Sequence, residues 1–174
     1  MVSDNPVVRD LVIPLEKYPH LKEHNTLHEA VEMIGSYTSD ENDRIRYAEL
    51  LVLNDQNQLS GLATLQDILQ SLNPRLKDAS MVKNFAGKKS EFEDLTYLWE
   101  ESFFVECKKR SHVLIRDFMS PIKHILKGSD PVLMALLVMI NTKEAVLPVI
   151  DDDRVIGVIR LKEIFKAVCE RCNL

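Results

Sequence analysis

Residues 61–69 of this 174-residue chain read GLATLQDIL, and residues 157–165 repeat the pattern as GVIRLKEIF. Working outward from each copy, the same order of patterns precedes it: an Arg-Asp pair, a helical segment, and an apolar run that ends in a polar turn. Self-similarity of this kind outranks local signals in deciding a fold. The sequence therefore predicts two equivalent half-modules, each with the order strand, helix, strand, tight turn, strand, helix.

Short-range chemistry marks the helix starts and the turns of both copies. Thr26 and Glu29 form a capping box, and Asp130 as cap with Pro131 at the first helical position marks the matching start in the second copy. The apolar runs that follow end in turns rich in Asn or Asp, which is hairpin chemistry. We expect a mixed α/β (α+β) fold with two pseudo-twofold-related half-modules, whose short mixed sheets are flanked by helices.

The helix of the second copy, residues 132–140, is apolar on every face. Such a helix must be covered on all sides. The neighbouring half-module and a second chain are the two candidates to cover it, and an exposed apolar patch of several hundred Å² is unusual on a monomer. We therefore expect a homodimer.

The copies differ in length and are far apart in the chain. The first copy carries extra polar residues within 35–46, which predicts a surface loop. The predicted domains are residues 6–72 for the first motif, 73–112 for a connector and 113–174 for the second motif.

The connector contains a helical pattern. Ser90 and Glu93 form a capping box, and an apolar stripe follows at helical spacing: Phe92, Leu95, Trp99 and Phe103. This pattern predicts an amphipathic helix, which either docks on the core or binds a partner.

Composition excludes several classes of protein. A net charge of −5 argues against a nucleic-acid protein bound mainly through its phosphates, and five glycines without a phosphate-loop motif argue against that mode of nucleotide binding. The start of the chain lacks a signal segment, and the longest apolar run is about half of the roughly 20 residues that span a bilayer. We expect a soluble, cytoplasmic protein with no membrane partner.

Cysteine and histidine do not predict a metal site. An odd cysteine count argues against a disulfide framework, and Cys169 with Cys172 lacks the second pair that zinc needs. Ordinary thiols on a terminal helix are expected, with a redox or intermolecular role as the alternative. His20, His24 and His28 are four residues apart, but the helix begins after the first two. The aspartates at 151–153 are interpreted as a solvated turn.

The repeated strand, helix and hairpin, followed by G-h-x-T-x-x-D (h, hydrophobic) at the start of the last helix, resembles the CBS domain, first noted in cystathionine β-synthase. Two copies resemble a CBS pair, or Bateman module. The resemblance implies a regulatory module that binds an adenosine-containing ligand (AMP, ADP, ATP or S-adenosylmethionine) in the cleft between the copies. It also implies frequent dimerisation into a flat disc.

The resemblance assigns Thr64 and Asp67 to the ribose hydroxyls. A carboxylate accepts hydrogen bonds from two vicinal hydroxyls, and charge-assisted hydrogen bonds are the stronger class. The same two residues have capping spacing, so the alternative is that they only start the last helix.

By position in the family, the adenine is expected between two strand segments, Pro19-His20-Leu21 and Tyr47-Ala48-Glu49. Tyr47 has a ring that can stack on a base, or it is a half-buried strand residue. Arg46 and Arg44 are candidates for a phosphate.

The second copy departs from the pattern, because Arg160 replaces the Thr and Glu163 the Asp. Ribose binding is therefore not expected there, and Arg160 is interpreted as a solvated arginine rather than a phosphate ligand. We expect one ligand per chain, in the first copy.

These inferences favour a non-enzymatic regulatory module that requires no cofactor, binds an adenosine-type ligand and signals to a separate partner protein. The alternatives are a purely structural or dimerisation CBS module without a ligand, and an enzyme such as a nucleotide hydrolase. No motif places a nucleophile beside a base, which argues against the enzyme.

Overall fold

The computed structural model of the chain describes residues 5–39, 44–77 and 103–173. The chain divides into two compact units. One consists of Met1–His20, Leu53–Ser60 and Pro121–Leu174, and the other of Leu21–Val52 and Gly61–Ser120. The mixed α/β fold class is confirmed.

The first unit holds the second copy of the repeat. Its strands and helices are β1 (Ile13–Pro14), β7 (Leu126–Lys127), β8 (Val146–Asp151), β9 (Arg154–Arg160), α3 (Val132–Thr142) and α4 (Leu161–Cys172). Its sheet has the order β1-β9-β8-β7. Strand β7 is parallel to β8, whereas the β8–β9 hairpin and the β1–β9 pair are antiparallel. The core between sheet and helices includes Val8, Met139, Leu147, Ile159 and Ile164, all at most 2% exposed.

The second unit holds the first copy. Its elements are β2 (His20–Lys22), α1 (Leu27–Ser36), β3 (Thr38–Ser39), β4 (Arg44–Ile45), β5 (Glu49–Leu53), β6 (Leu59–Thr64) and α2 (Leu65–Leu72). Its sheet has the order β2-β5-β6, and a two-stranded ribbon pairs β3 with β4. The terminal residues of three strands, namely His20, Leu53 and Leu59 with Ser60, are assigned to the first unit. Its core includes Leu27, Ala30, Leu50, Ala63 and Ile115, all at most 1% exposed.

Each copy of the repeat contributes its leading segment to the unit that holds the other copy. In the first unit, the Val8 amide donates to the Asp130 carbonyl at 2.8 Å. In the second unit, the Ile115 amide donates to the Asn25 carbonyl, also at 2.8 Å. The residues of the two units therefore alternate along the chain. The boundaries 6–72, 73–112 and 113–174 are predicted from the repeat, and they remain a prediction.

Two glycines stand where these leading segments cross the other copy. A Cβ on Gly157 would lie 2.0 Å from the Ile13 carbonyl oxygen, and its φ is +151°. A Cβ on Gly61 would lie 2.7 Å from the Met119 sulfur and 2.9 Å from the Ser120 carbonyl oxygen. The glycine that opens each copy of the motif is therefore required by the close approach of the crossing segment.

The capping signals are confirmed for the first copy and shifted by one residue in the second. The Glu29 amide donates to the Thr26 hydroxyl at 3.3 Å, and the Thr26 amide donates to the Glu29 carboxylate at 2.7 Å. In the second copy Pro131 is itself the cap, not the first helical residue. Asp130 instead accepts from the Lys127 amide at 2.8 Å, which closes the turn before α3.

Two loop predictions need correction. Residues 35–46 are not only a loop, because α1 continues to Ser36 and the β3–β4 ribbon follows it. At 151–153, the hairpin turn is exposed, but Asp151 ends β8 and accepts from the Arg9 guanidinium at 2.7 Å. The first aspartate therefore anchors the leading segment.

Most of the predicted connector helix, including Ser90, Glu93 and Trp99, lies outside the described residues. Residues 103–109 are helical. In the part of the chain that the structure describes, every helix is too short or too polar to cross a bilayer.

Candidate functional site

The start of α2 holds the two residues assigned to the ribose. The Thr64 hydroxyl donates to Asp67 Oδ2 at 2.7 Å and the Thr64 amide to the same oxygen at 2.9 Å. The Asp67 amide donates back to the Thr64 hydroxyl at 3.1 Å. The capping alternative is thus a correct account of the local structure, and it also fixes the orientation of the carboxylate.

The other oxygen of Asp67 faces a serine that the sequence interpretation missed. The Ser120 hydroxyl donates to Asp67 Oδ1 at 3.1 Å. Ser120 reaches this place because its backbone pairs with Leu62, with N–O distances of 2.8 and 3.0 Å. A carboxylate has about four acceptor positions. Thr64 and Ser120 occupy three of them with these contacts, and Asp67 is only partly buried.

Of the residues expected around the adenine, Ala48 is joined to this site by a backbone hydrogen bond. Its carbonyl accepts from the Leu65 amide at 2.8 Å, which joins the start of β5 to the start of α2. Ala48 is exposed and Glu49, the first residue of β5, is partly exposed. This backbone contact brings the Tyr47–Glu49 segment beside Thr64.

Tyr47 is a core residue. Its side chain is 6% exposed, and its ring lies 5.5 Å from the Tyr37 ring in an edge-to-face contact. The Arg46 guanidinium lies 5.7 Å from the Tyr47 ring centre, while Arg46 and Arg44 are exposed. The buried ring of Tyr47 therefore packs against Tyr37 and Arg46, and the two arginines remain exposed to solvent.

The Pro19–Leu21 segment divides between the units. Pro19 and His20 belong to the first unit, together with Arg160 and Glu163, and Leu21 belongs to the second, where it packs against the core. His20 Nδ1 lies 2.8 Å from the Tyr18 carbonyl oxygen. Because the leading segments are exchanged, Ser120 rather than Pro19 or His20 shares a unit with Asp67.

In the second copy, an ion pair stands at the start of α4. The Arg160 guanidinium donates through Nε to Glu163 Oε2 at 2.8 Å, and through Nη2 to Glu163 Oε1. The side chains are 20% and 25% exposed. The interpretation of Arg160 as a solvated arginine was wrong, because a carboxylate three residues along the helix holds the guanidinium.

Electrostatics at Glu163 follow from this contact. Partial burial alone would raise the pKa of Glu163, but the hydrogen bonds and positive charge of Arg160 outweigh burial and hold that pKa below its usual range. Glu163 is therefore ionised whenever the ion pair is formed.

A cavity of about 440 Å³ lies beside Glu163 within the first unit. Its lining combines an apolar floor with charged residues: Asp10, Leu11, Val12, Ile13, Pro14, Lys17, Glu163, Lys166, Ala167 and Glu170. As for metals, among residues 5–39, 44–77 and 103–173 no group of three or more His, Cys, Asp or Glu side chains is placed to hold an ion.

The chain belongs to the CBS domain family. The family profile matches twice, at residues 8–74 and 115–170, so the protein carries a CBS pair. A sequence comparison with curated proteins finds no significant match.

Solved structures share this fold over nearly the whole chain. CBSX2 from Arabidopsis thaliana is 17% identical, with a TM-score of 0.67, over 98% of this chain and 99% of that one. CBSX2 in complex with AMP is 18% identical, with a TM-score of 0.64, over 96% and 98%. The CBS domains of a transcriptional regulator from Streptococcus pneumoniae are 17% identical, with a TM-score of 0.60, over 92% and 97%.

Proposed function

We propose that this CBS pair is a non-enzymatic regulatory module that binds an adenosine-containing ligand through Asp67 and signals to a separate partner protein. The observation that carries the proposal is the carboxylate of Asp67. Thr64 holds one of its oxygens, and the other oxygen accepts from the hydroxyl of Ser120. CBSX2, which has the same fold, has been solved with AMP bound.

The chemistry of Asp67 suits a sugar diol. The donors that the described residues place at this carboxylate are an amide and two hydroxyls, with no cation among them. A ribose hydroxyl that replaces the Ser120 hydroxyl at Oδ1 exchanges one O–H···O⁻ bond for another, and a second ribose hydroxyl uses the remaining acceptor position. Binding therefore requires little desolvation of the carboxylate beyond what the fold already provides.

Signalling requires that the ligand bind two arrangements of the protein with different affinity, because a ligand shifts an equilibrium only by that difference. A partner that recognises the favoured arrangement then receives the signal. This ligand-dependent mechanism distinguishes the proposal from a purely structural CBS module.

Titration calorimetry with AMP, ADP, ATP and S-adenosylmethionine tests the assignment. Asp67→Ala is expected to weaken binding by about 1.5–3 kcal/mol, the scale of a hydrogen bond to a charged group, or roughly tenfold to a hundredfold in Kd. Glu163→Ala is the matched control and should leave the Kd unchanged. Loss of binding in Glu163→Ala but not in Asp67→Ala would place the site in the other copy, and no binding by the wild type would favour the structural alternative.

We also propose that the protein is a homodimer, with the outer face of α3 and α4 as its interface. Apolar side chains recur along this face at spacings of three and four residues, and each is 37–67% exposed: Leu133, Met134, Leu137, Ile140, Leu161, Phe165 and Val168. At about 100 Å² for each half-exposed large side chain, the face approaches the ~800 Å² that one partner contributes to a standard interface.

Light scattering at micromolar concentration tests the dimer. Leu137→Glu places a charge on this face and is expected to give a 20 kDa monomer. Val31→Glu is the matched control, because Val31 on α1 is 47% exposed but has His28 and Glu32 beside it. A monomeric wild type, or equal dissociation by both variants, would contradict the assignment.

A further inference from the structure

We propose that the second copy is closed to the ligand by its own side chains, and that Arg160 is the residue that closes it. This inference rests on the proposed function, since it concerns the site equivalent to the one at Asp67. It goes further by naming the chemistry that makes one half of the pair specific and leaves the other inert.

The structural register identifies the equivalent positions. Gly61 and Gly157 open the two copies of the motif, so Leu62 corresponds to Val158. Ser120 pairs with Leu62, and Ile13 pairs with Val158. Ile13 therefore occupies in the second copy the place that Ser120 occupies in the first.

Both hydroxyl donors of the first site are thus absent from the second. Thr64 is replaced by Arg160, and Ser120 by Ile13. No side-chain hydrogen bond caps α4 at Arg160. The carboxylate of Glu163 is oriented instead by a guanidinium that engages both of its oxygens.

The ion pair outcompetes a sugar for the carboxylate. A ribose diol and the guanidinium both offer charge-assisted hydrogen bonds to the carboxylate, but the guanidinium adds a full positive charge and a fixed bidentate geometry. With side chains only 20% and 25% exposed, water compensates poorly if the pair is broken. A ribose at Glu163 would have to displace Arg160 and leave that guanidinium partly desolvated without its partner.

A cavity of about 440 Å³ borders Glu163 in the second copy, a volume within the range of roughly 300–1,000 Å³ of small-molecule sites. The apolar side chains of Val12 and Ile13 contribute to its lining, whereas its lining does not include Arg160 or Ala145, the counterparts of Thr64 and Ala48. The carboxylate of Glu163 at the edge of this cavity is held in an internal ion pair, and this pair is what excludes the sugar.

Restoring the residues of the first copy tests the inference. The double variant Arg160→Thr/Glu163→Asp changes residues 160–163 from RLKE to TLKD. The corresponding residues 64–67 of the first copy read TLQD. The capping box that this creates is the one seen at Thr64 and Asp67, so α4 is expected to form. Arg160→Thr alone is a second variant that keeps Glu163, and it reproduces the Thr-x-x-Glu box at Thr26 and Glu29.

Titration calorimetry with AMP then measures the number of sites per chain. We expect one site in the wild type and two in the double variant, with the second Kd within roughly tenfold of the first. Adding Asp67→Ala to the double variant should leave only the new site. Arg160→Lys/Glu163→Asp is the matched control, since it retains a cation at position 160 and should show one site.

The outcomes separate this inference from the proposed function. A wild type with two sites, or variants lacking Arg160 that fold but gain no site, overturns the inference whatever happens at Asp67. A wild type without any site, combined with a double variant that binds one AMP, supports the inference and overturns the proposed function. Circular dichroism on each variant confirms that it is folded before its sites are counted.

Discussion

The two copies of the repeat begin their last helix in different ways. At the start of α2, the short side chains of Thr64 and Asp67 cap the helix. The Asp67 carboxylate also accepts a hydrogen bond from the Ser120 hydroxyl. In α4, Arg160 and Glu163 satisfy each other. The same backbone arrangement at a helix start can therefore leave a carboxylate oxygen available to a group outside the helix, or pair the carboxylate with a cation of the same helix start.

The exposed faces of the helices also differ between the two copies. In the second copy, α3 and α4 expose seven large apolar side chains, which include Leu137 and Phe165. In the first copy, α1 exposes Val31 and α2 exposes Leu69, each among polar residues. The comparison teaches that the two copies keep one backbone pattern while their helix starts and exposed helix faces have diverged, and the proposed ligand site and the proposed dimer interface rest on these two differences.

The largest predicted effect concerns the glycines at the crossings. Gly157→Ala puts a Cβ against backbone at a φ of +151°, so overpacking and backbone strain combine, and we expect a loss of about 3 kcal/mol or more in the free energy of unfolding. Gly61→Ala should cost roughly 1–3 kcal/mol, because the flexible Met119 side chain at 2.7 Å can move aside, whereas the Ser120 carbonyl oxygen at 2.9 Å requires a small backbone shift. Urea unfolding measures both. An equal loss in the two variants would show that the crossings are energetically alike.

A smaller effect is expected at the helix starts. Thr64→Ala removes the cap of α2 and should cost about 1 kcal/mol of stability, while Thr64→Ser retains the hydroxyl and most of that stability. Arg160→Thr removes the cation from a mostly buried carboxylate and replaces it with a capping hydroxyl that recovers part of the loss, so we expect a net loss of about 1–2 kcal/mol. Thermal and urea unfolding of the three variants test this order. A Thr64→Ala variant as stable as wild type would mean that the cap is dispensable.

The smallest effect is a pH dependence. Because its pKa is lowered in the folded state, Glu163 stabilises the fold above the usual pKa of 4.5, and this stabilisation is lost as pH falls through the lowered value. Glu163→Gln lacks the contribution, so its urea midpoint should approach that of the wild type as pH falls from neutral into this range. Glu29, whose pKa is lowered chiefly by the Thr26 backbone hydrogen bond, titrates in both proteins and cancels in the comparison. A difference in midpoint that stays constant with pH would contradict the assignment.

The sequence predicted those features that depend on neighbours in the chain. The capping boxes at Thr26 and Thr64 and both hairpins are interactions across three to six residues, and their signals are local. The Ser120–Asp67 contact spans 53 residues, and it depends on which unit receives each leading segment. Burial of Tyr47 depends likewise on Tyr37 across the ribbon. Arg160 and Glu163 are local in sequence, but the cavity and low exposure that make their pairing consequential are tertiary features.

The exchange of leading segments also bears on how the chain folds during synthesis. The first unit needs residues from both ends of the chain, and its Arg9–Asp151 hydrogen bonds join positions 142 residues apart. Contacts of such long sequence separation form late, because loop closure must precede them. We expect the second unit, complete once Ser120 has left the ribosome, to fold first, while the leading segment with Val8 waits until residues 121–174 have been made.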